Sequence, residues 1–174
     1  QIYPRSIDFQ VISSLFQLAS PLASITTNIR LMAGLGLVAE GKASSQVGSS
    51  AMPHKNNPRL SERVNALFIV LKGYLTMASE ISGIQWNEGD VSESVVRRIA
   101  LPDAFYCIDA ILRTVIKIVK DLEISKDNIA REVDLELEYL LSSKVLLMAF
   151  DKGVGRESAH KAILECADKS RSPN

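Results

Sequence analysis

Cysteine, histidine and aromatic residues are all scarce in these 174 residues: 2 Cys, 2 His, and only 6% Phe, Trp and Tyr together. Cys107 and Cys166 sit far apart on apolar stretches, which argues against a disulfide framework and fits a reducing, cytoplasmic setting. With His54 and His160 the only histidines and no carboxylate cluster near them, a zinc site is not expected. Charge of one sign is also missing, since 20 Lys plus Arg balance 20 Asp plus Glu. A nucleic-acid sleeve or a membrane-surface helix would need a basic surplus, although a local arginine cluster at an anion site stays open. The longest apolar runs, Ala66 to Leu71 and Val145 to Phe150, stop at Lys72 and Asp151, far short of the ~20 residues that span a bilayer. No signal peptide is visible. No G-x-S-x-G elbow or H-E-x-x-H pair occurs, and the stretch from Gly48 to Lys55 lacks the second Gly of a phosphate loop, with His54 in its place.

What is present is ordinary globular composition, 47% hydrophobic and 23% charged, arranged with helical period. From Ser6 to Ala33, Ile7, Val11, Leu15, Leu18, Leu22, Ile25, Ile29 and Leu31 mostly recur at three or four. Pro21 should kink or divide that helix, and Gly34 and Gly36 should stop it. A second helix is expected from Arg59 to Ile81, with Pro58 in its first turn and Asn57 as its cap. At about 1.5 Å per residue it is long enough to belong in a bundle. A third begins near Ser94, with a break expected at Leu101-Pro102 and a continuation to Val119. Three shorter helices follow, near 127–141, 143–151 and 156–169, with Gly153-Val154-Gly155 as a turn. No segment alternates with period two, so the chain reads as all-α. The change of pattern places a boundary near Ile124, between a domain over 1–123 and a smaller helical one over 124–174.

Between the first two helices the residues turn small and polar, from Glu40 through Ser50, and end in Met52-Pro53-His54-Lys55-Asn56-Asn57-Pro58. A flexible linker is the plain reading. Met52-Pro53 is an odd choice for one, however, and the stretch delivers Lys55 and Asn57 at a helix start. Backbone N–H groups there, with Lys55, can neutralise an anion, and the same positive field can polarise the serine hydroxyls.

Gly48-Ser49-Ser50-Ala51-Met52-Pro53-His54-Lys55-Asn56-Asn57-Pro58 resembles the signature loop of the fumarase/aspartase superfamily. The MPHK form, followed by Arg59-Leu60-Ser61-Glu62-Arg63, is similar to the branch acting on succinylated purine nucleotides. So are the opening Gln1-Ile2-Tyr3-Pro4-Arg5-Ser6 and the later Trp86 and Ser94-Val95-Val96-Arg97-Arg98. The resemblance covers nearly the whole chain. It implies a long-helix bundle with the signature loop at 41–58, then part of a small C-terminal helical domain. The chain then reads as a piece of a longer protein: it opens on Gln1, and the family's general-acid His belongs to an earlier segment that is not in this sequence.

The implied reaction is an anti β-elimination of fumarate, giving AMP, or the carboxamide ribotide from its succinyl form, with no cofactor or metal. In that scheme Ser49 is the general base, and Ser50, Lys55 and Asn57 contact the fumaryl carboxylates, with Asn56 beside them through its backbone. Gln1 and Arg63 contact substrate, Arg63 at the nucleotide part. Ser94 and Arg98 hold the 5′-phosphate, which suits a guanidinium's forked donors. Neither His54 nor His160 takes the acid's role. The sequence departs from the family pattern at Gly89, where many members carry another phosphate-binding Arg. The resemblance further implies a homotetramer whose active sites are shared between subunits, with no nucleic-acid or membrane partner. Two alternatives stay open: a superfamily relative such as a carboxymuconate cycloisomerase, whose substrate has no phosphate for Ser94 and Arg98, and a non-catalytic helical oligomerisation module.

Overall fold

The structure, a computed structural model, describes residues 3–41, 57–84 and 91–171. Among these the elements run α1 (Ser6–Gly34), β1 (Val38–Glu40), α2 (Arg59–Ser82), α3 (Val91–Asp121), β2 (Leu122–Ile124), α4 (Lys126–Asp151) and α5 (Arg156–Arg171). The chain divides into two compact units, one ending at Ser125 and the other starting at Lys126.

In the first unit α1, α2 and α3 form a three-helix bundle, each packed on the other two. Its core is built from Ile12 and Ala19 of α1, Val64 and Leu71 of α2, and Ile108, Ile111 and Ile118 of α3. Of the stripe expected on α1, Ile29 is buried but Ile7, Leu18 and Ile25 are exposed, so the buried face lies to one side of the one expected. The rings of Phe16 and Phe68 stack 4.9 Å apart across the first seam. The chain direction follows from the contacts. Asn65, near the start of α2, donates to the Ala23 carbonyl late in α1 at 2.9 Å. Cys107, midway along α3, donates to the Leu67 carbonyl at 3.1 Å. Arg5, just before α1, meets Glu93 at the start of α3. Hence α1 and α3 begin at one end of the bundle, and α2 begins at the other.

Neither proline breaks its helix, contrary to expectation. Pro21 lies inside α1 and Pro102 inside α3. Each is flanked on the buried face by two alanines: Ala19 and Ala23 around Pro21, Ala100 and Ala104 around Pro102. Such small residues let the backbone lie close to its neighbours on both sides of the proline. Packing then outweighs the lost hydrogen bond, and the helix is not divided at either proline. α1 stops as its glycines suggested: Gly36 takes a φ of 71°. Its N–H donates to the Ala33 carbonyl at 3.1 Å and that of Leu37 to the Met32 carbonyl at 2.9 Å, a Schellman ending.

A short ribbon was not expected at all. β1 and β2 pair antiparallel, with Val38 opposite Ile124 and Glu40 opposite Leu122. Three residues a side are too few to display an alternating pattern. In the second unit α4 is one helix where two were expected around Ser142. That serine instead turns its hydroxyl back onto the Tyr139 carbonyl at 2.6 Å and the helix continues. Gly153, at a φ of 80°, ends it with a second Schellman pair, and α5 packs against α4.

Candidate functional site

The predicted site residues fall into two groups. Gln1, and Ser49, Ser50, Lys55 and Asn56 of the signature loop, lie outside the described residues, as do His54 and Gly89. Asn57 and Arg63 are described. Asn57 does not cap α2 as expected. Pro58 occupies the cap position and no local side chain bonds to the helix end. The cap comes from across the loop instead. Glu40 accepts the N–H of Leu60 at 2.9 Å and that of Ser61 at 2.7 Å, and the Ser61 hydroxyl donates to it at 2.6 Å. Asn57 is thereby left lining a recess of about 580 Å³ between the end of α1 and the start of α2, with Thr27, Arg30, Pro58 and Glu62. Arg63 is exposed one residue further along α2.

Ser94 and Arg98 form the second group. They stand four residues apart on α3, on one face, and line a shallow recess of about 300 Å³ with Arg97, Leu101 and Pro102. α3 begins at Val91 rather than Ser94, so both arginines sit beyond the first turn, where the macrodipole fades. Arg97 is not an idle surface charge. Its Nε donates to Asp8 at 2.6 Å, and its Nη2 donates to the Tyr3 hydroxyl. Tyr3 in turn donates to the other Asp8 oxygen at 3.0 Å. Arg5 pairs with the buried Glu93 at 2.6 Å, which raises its pKa above the ordinary arginine value against the opposing effect of burial. Both guanidinium groups lie over the Tyr3 ring, at 5.3 Å for Arg5 and 5.2 Å for Arg97. Arg98 is exposed and has no ion pair among the described residues, so its charge is the one at this recess available to a ligand.

The structure brings Ser94 and Arg98 together and places them away from the loop's exit at Asn57 and Pro58. The loop's exit sits beside Thr27 and Leu31 of α1, while Arg97 sits on Asp8 at the other end of the same helix. At about 1.5 Å rise per residue, Asp8 and Leu31 are about 35 Å apart along α1. Sequence reasoning missed Glu40 and the lattice of Tyr3, Arg5, Asp8, Glu93 and Arg97. Asp8 interrupting an apolar stripe was a visible sign of a buried partner. For Glu93, 88 residues from Arg5, no local sign exists.

A family described as lyase matches residues 4–73. The chain is 34% identical over 163 residues to adenylosuccinate lyase of Saccharomyces cerevisiae, covering 94% of this chain and 34% of that protein. It is 36% identical over 172 residues to adenylosuccinate lyase of Aquifex aeolicus, covering 98% of this chain and 39% of that protein. The chain therefore spans little more than a third of the length of these relatives. Among solved structures, 3-carboxy-cis,cis-muconate lactonizing enzyme from Pseudomonas putida is similar at a TM-score of 0.76 and 24% identity, over 94% of this chain and 36% of that one. At that identity the likeness is one of fold.

Proposed function

We propose that this chain belongs to the fumarase/aspartase superfamily of lyases and that the protein is an adenylosuccinate lyase. The observation that carries this reading is the identity of 34% and 36% to two adenylosuccinate lyases, over 94% and 98% of the chain. Ser49 removes a proton from the succinyl carbon beside a carboxylate. The electron pair left behind forms the new double bond as the C–N bond breaks, and fumarate departs. Charge building on that carboxylate needs fixed donors, and Ser50, Lys55 and Asn57, with the Asn56 backbone, supply them. The proton for the departing purine nitrogen comes from a histidine outside these 174 residues. Gln1 contacts the substrate, Arg63 its nucleotide part, and Ser94 and Arg98 hold the 5′-phosphate.

The separation of about 35 Å along α1 bears on assembly. One chain does not bring its loop exit and its Arg98 to a single small substrate, so each site takes its loop and its phosphate pair from different subunits. A homotetramer with shared sites accommodates this. The bundle also carries large apolar residues that its own three helices leave exposed, among them Ile69 of α2 and Phe105 and Ile116 of α3; a further copy would cover them.

The test is fumarate release from adenylosuccinate by the full-length protein, followed by ultraviolet absorbance. Turnover is expected, and Ser49→Ala should lower it by about 10²–10⁴-fold with an unchanged helical spectrum. Turnover of a carboxymuconate instead, with none of adenylosuccinate, would assign the protein to the cycloisomerase side of the superfamily.

A further inference from the structure

Glu40 is the last residue of β1 and is only 8% exposed. Its backbone is fixed by pairing with Leu122. The next N–H, that of Gly41, donates to the Asp121 carbonyl at 2.9 Å. A Cβ at Gly41 would stand 2.5 Å from that oxygen, so the strand leaves the ribbon by a path only glycine permits. From this anchored position the Glu40 carboxylate reaches over the whole loop to the first turn of α2. There it takes the Leu60 and Ser61 N–H groups and the hydroxyl of Ser61, a residue that is 0% exposed. One carboxylate thus ties the loop's entrance to its exit, across 20 and 21 residues.

Three features separate this from ordinary capping. A negative charge at a helix N-terminus is favourable in any case, but a cap drawn from within the loop would serve that purpose as well. Asn57 is the residue type for that task and sits next to the cap position. With Glu40 occupying the N–H groups, Asn57 lines the recess together with Glu62. The clamp also sets the distance between the two stems of 41–58, and so the reach of everything between them.

We propose that Glu40 is a positioning residue of the lyase: it acts through the loop stems on the placement of Ser49 and Lys55 and touches no substrate. The inference rests on the reading that this loop carries the chemistry. Glu40→Gln keeps size and shape but offers one acceptor oxygen, and its NH₂ group faces a backbone donor. In the full-length protein the variant should lose about 10- to 100-fold in kcat, the penalty of a slightly misplaced reacting group. Inhibition by AMP should weaken far less than kcat falls, because the phosphate pair lies at the far end of the bundle and only Arg63 of the nucleotide contacts lies on α2. Ser61→Ala removes one of the three bonds and should give a smaller loss in kcat. A core variant far from the loop, Ile12→Val, reports what lost stability alone does and should keep kcat.

A Glu40→Gln enzyme with wild-type kcat, beside an inactive Ser49→Ala, overturns the positioning role and leaves the proposed function standing. Full activity of Ser49→Ala overturns the function and this inference with it. Weakened AMP inhibition in step with kcat, or an equal kcat loss in Ile12→Val, also overturns the positioning role. If Glu40→Gln does not fold, Ser61→Ala decides: unchanged kcat overturns the role, and reduced kcat with AMP inhibition weakened far less supports it.

Discussion

Tyr3 lies between two arginines that are each spoken for by a carboxylate, and this cluster joins the start of α1 to the start of α3. The two ion pairs differ in surroundings. Arg5 and Glu93 have side chains 9% and 1% exposed, whereas Arg97 and Asp8 are at 26% and 6%. Removing one partner of a pair as enclosed as the first leaves the other charged and away from water. Glu93→Ala should therefore destabilise the bundle by about 3–5 kcal/mol, read from the shift of the urea midpoint at constant slope. A change below about 1 kcal/mol, the range of exposed pairs, would mean that solvent reaches Arg5 freely. Ser94 sits one residue from Glu93, so this pair also fixes the turn that presents Ser94 and Arg98.

At the scale of elements, the helices illustrate how packing overrides local preference. Pro21 and Pro102 each cost their helix a hydrogen bond, yet the alanines beside them are buried in one core and α1 and α3 run through. The ribbon shows the opposite dependence. Three residues on each side cannot hold themselves together; the pairing is completed by Gly41 on Asp121 and by the Ser125 N–H donating to the Leu37 carbonyl at 2.9 Å. Gly41→Ala would push a methyl group against the Asp121 carbonyl, 2.5 Å away. The backbone would have to shift, at a cost of about 1–3 kcal/mol. Hydrogen exchange should report it as faster exchange of the Ser125 amide, with the amides of central α2 unchanged; an unaltered Ser125 amide would show that the close approach is not enforced.

For the whole molecule, the decisive feature is that α1 and α3 start where α2 ends. That arrangement puts the loop exit and the Ser94–Arg98 pair at opposite ends of one bundle, and it yields a prediction about mixtures. Full-length Ser49→Ala and full-length Arg98→Ala should each be nearly inactive. Unfolded together and refolded as a mixture, they should recover measurable fumarate release, because some sites then draw an intact loop from one chain and an intact arginine from another. No recovery from a mixture shown by native mass spectrometry to contain mixed oligomers would mean that both groups come from the same chain.

The helical class, the ends of α1 and α2 and the chemical character of the 41–58 loop were legible in the sequence because each is a short-range property. A stripe repeating every three or four residues, a glycine taking positive φ and a run of small polar residues announce themselves within a few positions. The ribbon, the tolerance of two prolines, the Glu40 cap and the arginine–carboxylate lattice were not legible. Their partners stand 20 to 94 residues apart, and only the direction in which three helices pack decides which of them meet. The amino-acid order alone supplied the parts of a site and the family motif that relates them. Tertiary structure alone decided that one chain holds the loop's exit and the Ser94–Arg98 pair at opposite ends, since a helix of 29 residues is rigid and cannot fold back on itself.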